Sequence, residues 1–123
     1  MKETSFSVTN SCVKPVFVND GTRLLRLDVE DVFYVGADGH YCHVYKAKGK
    51  CVCTLSMSLG AVLSALNNGS FVQISRYEFV NIWHIREIIG NLLILEDGNR
   101  LTISRNFRGR IEDFLCVLTE IRS

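Results

Sequence analysis

Residues 71–82, FVQISRYEFVNI, contain two apolar stretches that are separated by a short polar break. The break is Arg76-Tyr77-Glu78, a charge pair with a phenol between its members. Residues with strand character flank it on both sides: Phe71, Ile74, Phe79, Val80 and Ile82. Because burying an unpaired charge is costly, the pattern predicts two strands joined by a loop with Arg76 at its tip.

Turn signals recur at short intervals along the chain, and their glycine or asparagine supplies the positive φ that tight hairpins need. The signals are Asn19-Asp20-Gly21, Asp38-Gly39, Lys48-Gly49, Gly90-Asn91 and Asp97-Gly98. Between them lie short segments rich in β-branched and aromatic residues: 15–19, 22–27, 32–37, 41–47, 51–57, 79–89, 92–96 and 100–104. This rhythm predicts a mainly β domain of short, mostly antiparallel strands.

Two segments have helical periodicity instead. Residues 58–69 begin with a candidate N-cap, Ser58, and end before Gly69, and their apolar residues recur at helical spacing: Leu59, Val62, Leu63 and Leu66. The tail from Asn106, with Ser104 or Asn106 as its cap, has apolar residues on one helical face: Phe107, Ile111, Phe114, Leu115, Leu118 and Ile121. The sequence therefore predicts one short internal helix and a C-terminal helix.

The chain has 123 residues, 47% of them hydrophobic, which is the size and composition of one globular domain. Residues 1–14 are polar and patternless, so we expect a flexible N-terminal arm followed by a domain over residues 15–123. No apolar run approaches the roughly 18 residues of a membrane helix. The first residues also lack the pattern of a secretory signal. A cytoplasmic protein with no membrane segment is expected.

The five cysteines form an odd set without a Cys-x-x-Cys pair, so we expect reduced thiols that serve mostly as small core residues. A zinc site is the alternative. If Lys48-Gly49 is a two-residue turn, four potential ligands share one face of a hairpin: His40, Cys42, Cys51 and Cys53. The paired spacing of most structural zinc sites is missing, so the favoured interpretation has no metal and no cofactor.

Catalytic motifs are missing from the sequence, which has no Gly-x-Ser-x-Gly, no phosphate-binding glycine-rich loop and no His-Glu-x-x-His. Ser75 and Ser104 have no histidine at a suggestive spacing. Asp38 and Asp97 lie at turn signals, where a carboxylate usually serves the turn itself. The chain is predicted not to be an enzyme.

Positive charge is concentrated locally, although the formal net charge is only +1. Residues 40–50 hold three lysines, two histidines and no acid, and residues 99–109 hold three arginines and no acid. Such patches set the local field, although an ordinary solvated surface can have the same composition. Arg76, Arg105 and Asn106 lie at predicted element boundaries and present donors that suit phosphates and base edges. Together these features favour a DNA-binding edge.

Three stretches, in this order, resemble the LytTR family of bacterial DNA-binding domains. Residues 28–50, DVEDVFYVGADGHYCHVYKAKGK, resemble the family's opening strand, its Asp-Gly-Asn-Tyr turn and its basic strand. Residues 58–88, SLGAVLSALNNGSFVQISRYEFVNIWHIREI, resemble its short helix followed by Phe-x-x-x-x-Arg-Ser-x-x-Val-Asn. Residues 101–111, LTISRNFRGRI, resemble its closing strand and Ser-Arg segment. The resemblance covers about residues 16–118.

The resemblance implies an elongated, mainly antiparallel β domain that inserts loops into successive major grooves of duplex DNA. Such domains are the output modules of response regulators and other transcriptional regulators. The implied contacts fall on three loops: Tyr41, Cys42 and His43 in the first, Arg76 in the second, and Arg105 with Asn106 and Arg108 in the third. The implied partners are promoter DNA with direct repeats and either a second copy on the DNA or a separate sensor protein.

This sequence departs from the family pattern at the second loop, where Tyr77 replaces the usual small serine and Glu78 follows it. The alternative function is a protein-interaction module on the same scaffold. DNA binding predicts that Arg76 and Arg105 lie on the same side as residues 40–50. The alternative predicts that these arginines pair with acids such as Glu78.

Overall fold

The computed structural model describes residues 14–66 and 69–121. The described strands are β1 Val16–Asn19, β2 Leu24–Leu27, β3 Tyr34–Asp38, β4 Tyr41–Lys46, β5 Lys50–Leu55, β6 Phe71–Ser75, β7 Glu78–Asn81, β8 Ile85–Ile89, β9 Leu92–Leu95 and β10 Arg100–Thr102. The helical segments are α1 Leu59–Leu66 and the 3-10 helices Val29–Asp31, Ala47–Gly49, Ile82–His84 and Arg105–Phe114. The predicted arm, residues 1–14, lies outside the described residues except for Lys14.

The strands form three antiparallel sheets with the orders β1-β2, β5-β4-β3-β7-β6 and β10-β9-β8. The predicted break in residues 71–82 is the tight turn between β6 and β7, where the Ser75 hydroxyl accepts a hydrogen bond from the Tyr77 amide at 3.1 Å. The prediction of a mainly antiparallel β domain with an internal helix and a C-terminal helix is confirmed.

The five-stranded sheet has a hydrophobic core on each face. One core joins it to α1 and the β1–β2 hairpin: Leu27, Val32, Val35, Cys42, Val44, Val62, Leu66, Phe71 and Phe79. The other joins it to the three-stranded sheet and the C-terminal 3-10 helix: Phe33, Val72, Ile74, Val80, Leu93, Leu95, Leu101, Ile103 and Ile111. Since side chains alternate along a strand, neighbours such as Phe79 and Val80 enter different cores. Burial of both faces explains the adjacent apolar pairs in these strands, Phe71-Val72 in β6 and Phe79-Val80 in β7.

The internal helix begins as its sequence predicts. The hydroxyl of Ser58 accepts a hydrogen bond from the amide of Ala61 at 3.1 Å, as an N-cap does. Val62 and Leu66 then face the first core, and Gly69 follows with a φ of +86°. Glycine suits this last position because the left-handed region strains any residue with a Cβ atom.

The C-terminal helix differs from the expected one in type and in length. It is a 3-10 helix that ends at Phe114, and Leu118 and Ile121 beyond it are 88% and 94% exposed. Since Leu118 and Ile121 lie beyond the end of the helix, the apolar stripe predicted for one longer helix reaches the core only as far as Leu115. Ile111 is buried in this helix, and Phe107 and Leu115 are partly buried against the same core.

The β4–β5 connection also differs from the prediction. It contains three residues, Ala47–Gly49, with Lys48 at a φ of 65°, so the expected two-residue turn is wrong. Lys46 consequently lies opposite Lys50, and a bulge in β5 then restores the register that a two-residue turn would give, with Cys42 opposite Leu55. Only Cys42 of the described thiols is buried, and Cys51 and Cys116 are exposed, so the expectation of mostly core cysteines is wrong for these two. In residues 14–66 and 69–121, no three His, Cys, Asp or Glu side chains are grouped so that they could hold a metal ion.

Within the described part of the chain, no helix combines the length and the apolar character that crossing a membrane requires.

Candidate nucleic-acid interface

The β6–β7 turn presents Arg76 to solvent. Its guanidinium donates to the Tyr77 hydroxyl at 3.4 Å and lies 5.7 Å from the centroid of that ring. This hydrogen bond raises the pKa of Arg76, and an arginine is a cation at neutral pH even without such a shift. No carboxylate of the described residues forms an ion pair with it.

The start of the C-terminal 3-10 helix lies beside that turn. The backbone amide of Ser104 donates to the carbonyl of Ile74 at 2.8 Å, which ties the helix start to the end of β6. Arg105 and Asn106 follow and are exposed. Turn and helix enclose a hollow of about 550 Å³, here called the basic hollow: Ser75, Arg76, Tyr77, Ser104, Asn106, Phe107 and Arg110.

Arg110 is a member of the basic hollow that sequence reasoning missed. Its guanidinium carbon lies 4.8 Å from the centroid of the Phe107 ring. The sequence signal that could have found Arg110 is its spacing from Phe107, because residues three apart share one face of a 3-10 helix. The sequence patch considered for binding ended at Gly109, one residue before this arginine.

Arg108, by contrast, is held by the protein itself. Its Nε donates to the carbonyl of Gly90 at 2.8 Å, and its Nη1 lies 2.6 Å from Oε1 of Glu112. These contacts fasten the helix to the β8–β9 turn. The Arg108 guanidinium is therefore paired within the protein, and Arg108 does not line the basic hollow with Arg76.

The first predicted loop is the β3–β4 turn and the beginning of β4. Tyr41 is 53% exposed, whereas His43 is partly buried. The Nδ1 atom of His43 lies 2.8 Å from the Thr54 hydroxyl, and its Nε2 atom lies 3.4 Å from a carboxylate oxygen of Asp38. Tyr41 borders a separate hollow with Met57 and does not line the basic hollow.

Cys42, one of the predicted contact residues, is buried. Its side chain is 0% exposed, and its thiol donates to the carbonyl of Met57 at 3.3 Å. Alternation along β4 sends Cys42 and Val44 into the first core, while Tyr41 and His43 are directed away from it. Burial also raises the pKa of the Cys42 thiol. The Cys42 side chain is therefore part of the first core.

A second hollow, of about 470 Å³, adjoins the basic one. It is here called the acidic hollow and is lined by Tyr34, Gly36, Ala37, Asp38, His43, Tyr45, Ser75, Tyr77 and Glu78. The two hollows share Ser75 and Tyr77, and the Ala37 amide donates to the Tyr77 carbonyl at 2.7 Å. His43 and Arg76 therefore border one continuous surface.

Glu78 is the partly buried acid of this surface. Burial raises the pKa of its carboxyl group, while a hydrogen bond with Ser75 acts in the opposite direction. The stacked rings of Tyr34 and Tyr45, with centroids 4.5 Å apart, lie on the same face. Gly36, directly opposite Glu78 on β3, adds no side chain that could bind the carboxylate.

We expect the Glu78→Gln variant to be more stable than the wild type near pH 7, by less than about 1 kcal/mol because solvent screens a partly exposed charge. The raised pKa means that Glu78 disfavours the folded state once the pH rises through its folded-state value. Below the ordinary pKa of 4.5 both states are protonated, and the advantage should vanish. Urea unfolding at pH 4 and pH 7.5 measures the difference. Glu87→Gln, at an exposed β8 position, is the control, and an equal gain there would contradict the assignment.

Comparisons with known proteins agree with one another. The sequence model of the LytTr DNA-binding domain matches residues 22–115, which is more than half of the 123-residue chain. Among solved structures, the LytTr DNA-binding domain of a Bacillus cereus protein, described as a methyl-accepting/DNA response regulator, superposes with a TM-score of 0.67. The two chains are 21% identical, and the match covers 81% of this chain and 94% of the other. No curated protein sequence matches significantly.

Proposed function

This chain belongs to the LytTr DNA-binding domain family, and we propose that it is a transcriptional regulator that binds duplex DNA sequence-specifically, without catalysis or a cofactor. The basic hollow is the observation that carries this proposal. It places Arg76, Asn106 and Arg110 together at the surface, and no carboxylate lines it. Arginines that are free of acidic partners retain their charge and their donors for an external anion.

The side chains around the hollow suit the chemistry of DNA. Arg76 at the turn can donate two hydrogen bonds to O6 and N7 of guanine, and Asn106 can pair with N6 and N7 of adenine. Arg105, exposed next to Asn106, can bind either a base edge or a phosphate. We propose that the β6–β7 turn and the start of the C-terminal 3-10 helix enter the major groove, which admits elements of this width.

The β3–β4 turn is the second proposed contact region. Tyr41 and His43 point away from the first core, and His43 lies on the surface that continues into the basic hollow. We propose that they contact an adjacent part of the duplex, while Cys42 and Arg108 act only within the protein. The proposed partner is promoter DNA with direct repeats in the cytoplasm, bound by two copies of the chain or with a separate sensor protein.

Selection of bound duplexes from a random pool tests the proposed function. We expect the wild type to recover a short common motif. Binding to that motif should weaken with salt at a slope of log K against log salt of about −4 to −5, as for four to six neutralised phosphates. A duplex with the shuffled motif is the control. Sequence-blind recovery, with equal affinity for both duplexes, would sink the proposal.

A protein-interaction module remains the second candidate function, and exposed apolar side chains favour it. Trp83 is 74% exposed, Leu118 88% and Ile121 94%, and none of them lines either hollow. The acidic hollow adds a surface that repels phosphate. In this case purified protein would recover no motif, and residual DNA binding would not depend on Arg76.

A further inference from the structure

Arg110 has a place in the basic hollow that the family resemblance does not assign to it. We infer that Arg110 binds a phosphate of the DNA backbone and thereby sets the position of the domain, while Arg76 reads the base sequence. This inference rests on the proposed function, since it assigns base contacts and phosphate contacts to different residues of the same hollow. It adds to the proposed site a residue with a different role.

The position of Arg110 is fixed by packing. Its guanidinium lies over the Phe107 ring, with 4.8 Å between the guanidinium carbon and the ring centroid. Phe107 is itself partly buried against the second core, and Ile111, next to Arg110, is fully buried there. A planar cation supported by a fixed aromatic ring loses less freedom on binding than an unsupported one. Arg110 is therefore preorganised for an anion.

The electrostatics of the hollow also fit a phosphate. Of the two acids that follow Arg110 in the helix, Glu112 is paired with Arg108 at 2.6 Å, and Asp113, on the same face as Arg110, forms no ion pair with it. No carboxylate of the described residues forms an ion pair with Arg110. The remaining polar lining comes from Ser104 and Asn106, which add a hydroxyl and an amide, and from Ser75 and Tyr77, whose hydroxyls are hydrogen-bonded to Glu78 and Arg76. Such neutral donors beside an arginine are the usual partners of phosphate oxygens.

The two arginines differ in how they can approach a duplex. Arg76 stands at the tip of a two-residue turn, from which it can project into a groove. Arg110 lies farther along the helix, with its guanidinium next to the Phe107 ring and its side chain exposed to an external ligand. If the turn with Arg76 enters a groove, Arg110 lies beside the phosphate backbone that borders this groove. The guanidinium of Arg110 can then donate two parallel hydrogen bonds to phosphate oxygens.

The test is the Arg110→Ala variant, measured on the duplex that the wild type selects and on a duplex with one altered motif base. Loss of one phosphate contact should reduce the slope of log K against log salt by about 1, and should weaken binding about eightfold at 0.1 M salt. Both duplexes should be affected equally, and the selected motif should stay the same. Arg110→Lys should restore most of the salt slope because it keeps the charge.

Arg86→Ala is the matched control, since it removes one exposed arginine from β8, outside both hollows. Circular dichroism and urea midpoints verify that each variant is folded, and Arg110→Gln replaces Arg110→Ala if the latter is not. A changed motif would mean that Arg110 reads a base, and an unchanged affinity and slope would mean that it binds nothing; either result overturns the inference. If the wild type selects no motif, the proposed function fails first and the inference fails with it.

Discussion

The double variant Arg76→Ala, Arg105→Ala is expected to lose about 2–6 kcal/mol of binding free energy on the selected duplex, at about 1–3 kcal/mol for each lost contact. Both side chains are exposed, and among the described residues neither is paired with a carboxylate. Their removal should therefore leave the free energy of unfolding almost unchanged. The loss should appear in affinity and in motif recovery, since the role proposed for both groups is DNA binding.

The control for this experiment is the double variant Arg86→Ala, Arg100→Ala, which removes the same charge from exposed positions on β8 and β10. It should lower the affinity for all duplexes slightly, through the general field, and should keep the selected motif. Titration of both double variants against the selected and shuffled duplexes separates the two effects. If the two double variants lose affinity equally, Arg76 and Arg105 contribute charge and read no bases.

The local parts of the fold were predictable from the sequence. The turn at Arg76 follows from the interruption of an apolar pattern, and the start of α1 follows from Ser58 and the helical spacing after it. Each of these features is decided by residues within a few positions of one another. The same holds for glycines at turns, such as Gly39, which has a φ of 62°.

The features that escaped prediction depend on contacts between distant segments. Arg108 has the composition of a DNA contact, but it is bound by Gly90, which lies 18 residues away. Cys42 lies in a basic, exposed-looking segment, and the phase of alternation along β4 decides that its side chain enters the core. Arg110 becomes part of a site only because the helix start is tied to Ile74 of β6.

Asn81 forms hydrogen bonds at the place where the two cores meet, and its partners there are evident only from the structure. It is the one buried polar residue of the described chain, at 2% exposure. Its side-chain amide donates to the carbonyl of Val32 at 3.0 Å, and its side-chain oxygen accepts from the amide of Trp83 at 3.1 Å. Its backbone amide donates to the carbonyl of Phe33 at 2.9 Å. Val32 belongs to the first core and Phe33 to the second, so Asn81 connects β7 to the segment where the chain passes between them.

Replacement of Asn81 by alanine is expected to lower the free energy of unfolding by about 2–4 kcal/mol. The variant leaves the carbonyl of Val32 without its donor and the amide of Trp83 without its acceptor, and each unsatisfied buried group costs about 1–3 kcal/mol. Urea denaturation followed by circular dichroism measures this loss. Asn91→Ala, at an exposed position in the β8–β9 turn, is the matched control and should change stability by less than about 0.5 kcal/mol.

The Asn81→Ala variant should also affect the candidate DNA-binding surface around Arg76. Asn81 ends β7, the strand that begins directly after the Arg76 turn, and β7 pairs with β3 and β6. If Asn81 holds β7 in place, its loss should increase amide hydrogen exchange in β7 and around Val32 more than in the three-stranded sheet. A loss of stability below about 1 kcal/mol, or exchange that rises equally in all three sheets, would show that water replaces the amide and that the joint between the cores lies elsewhere.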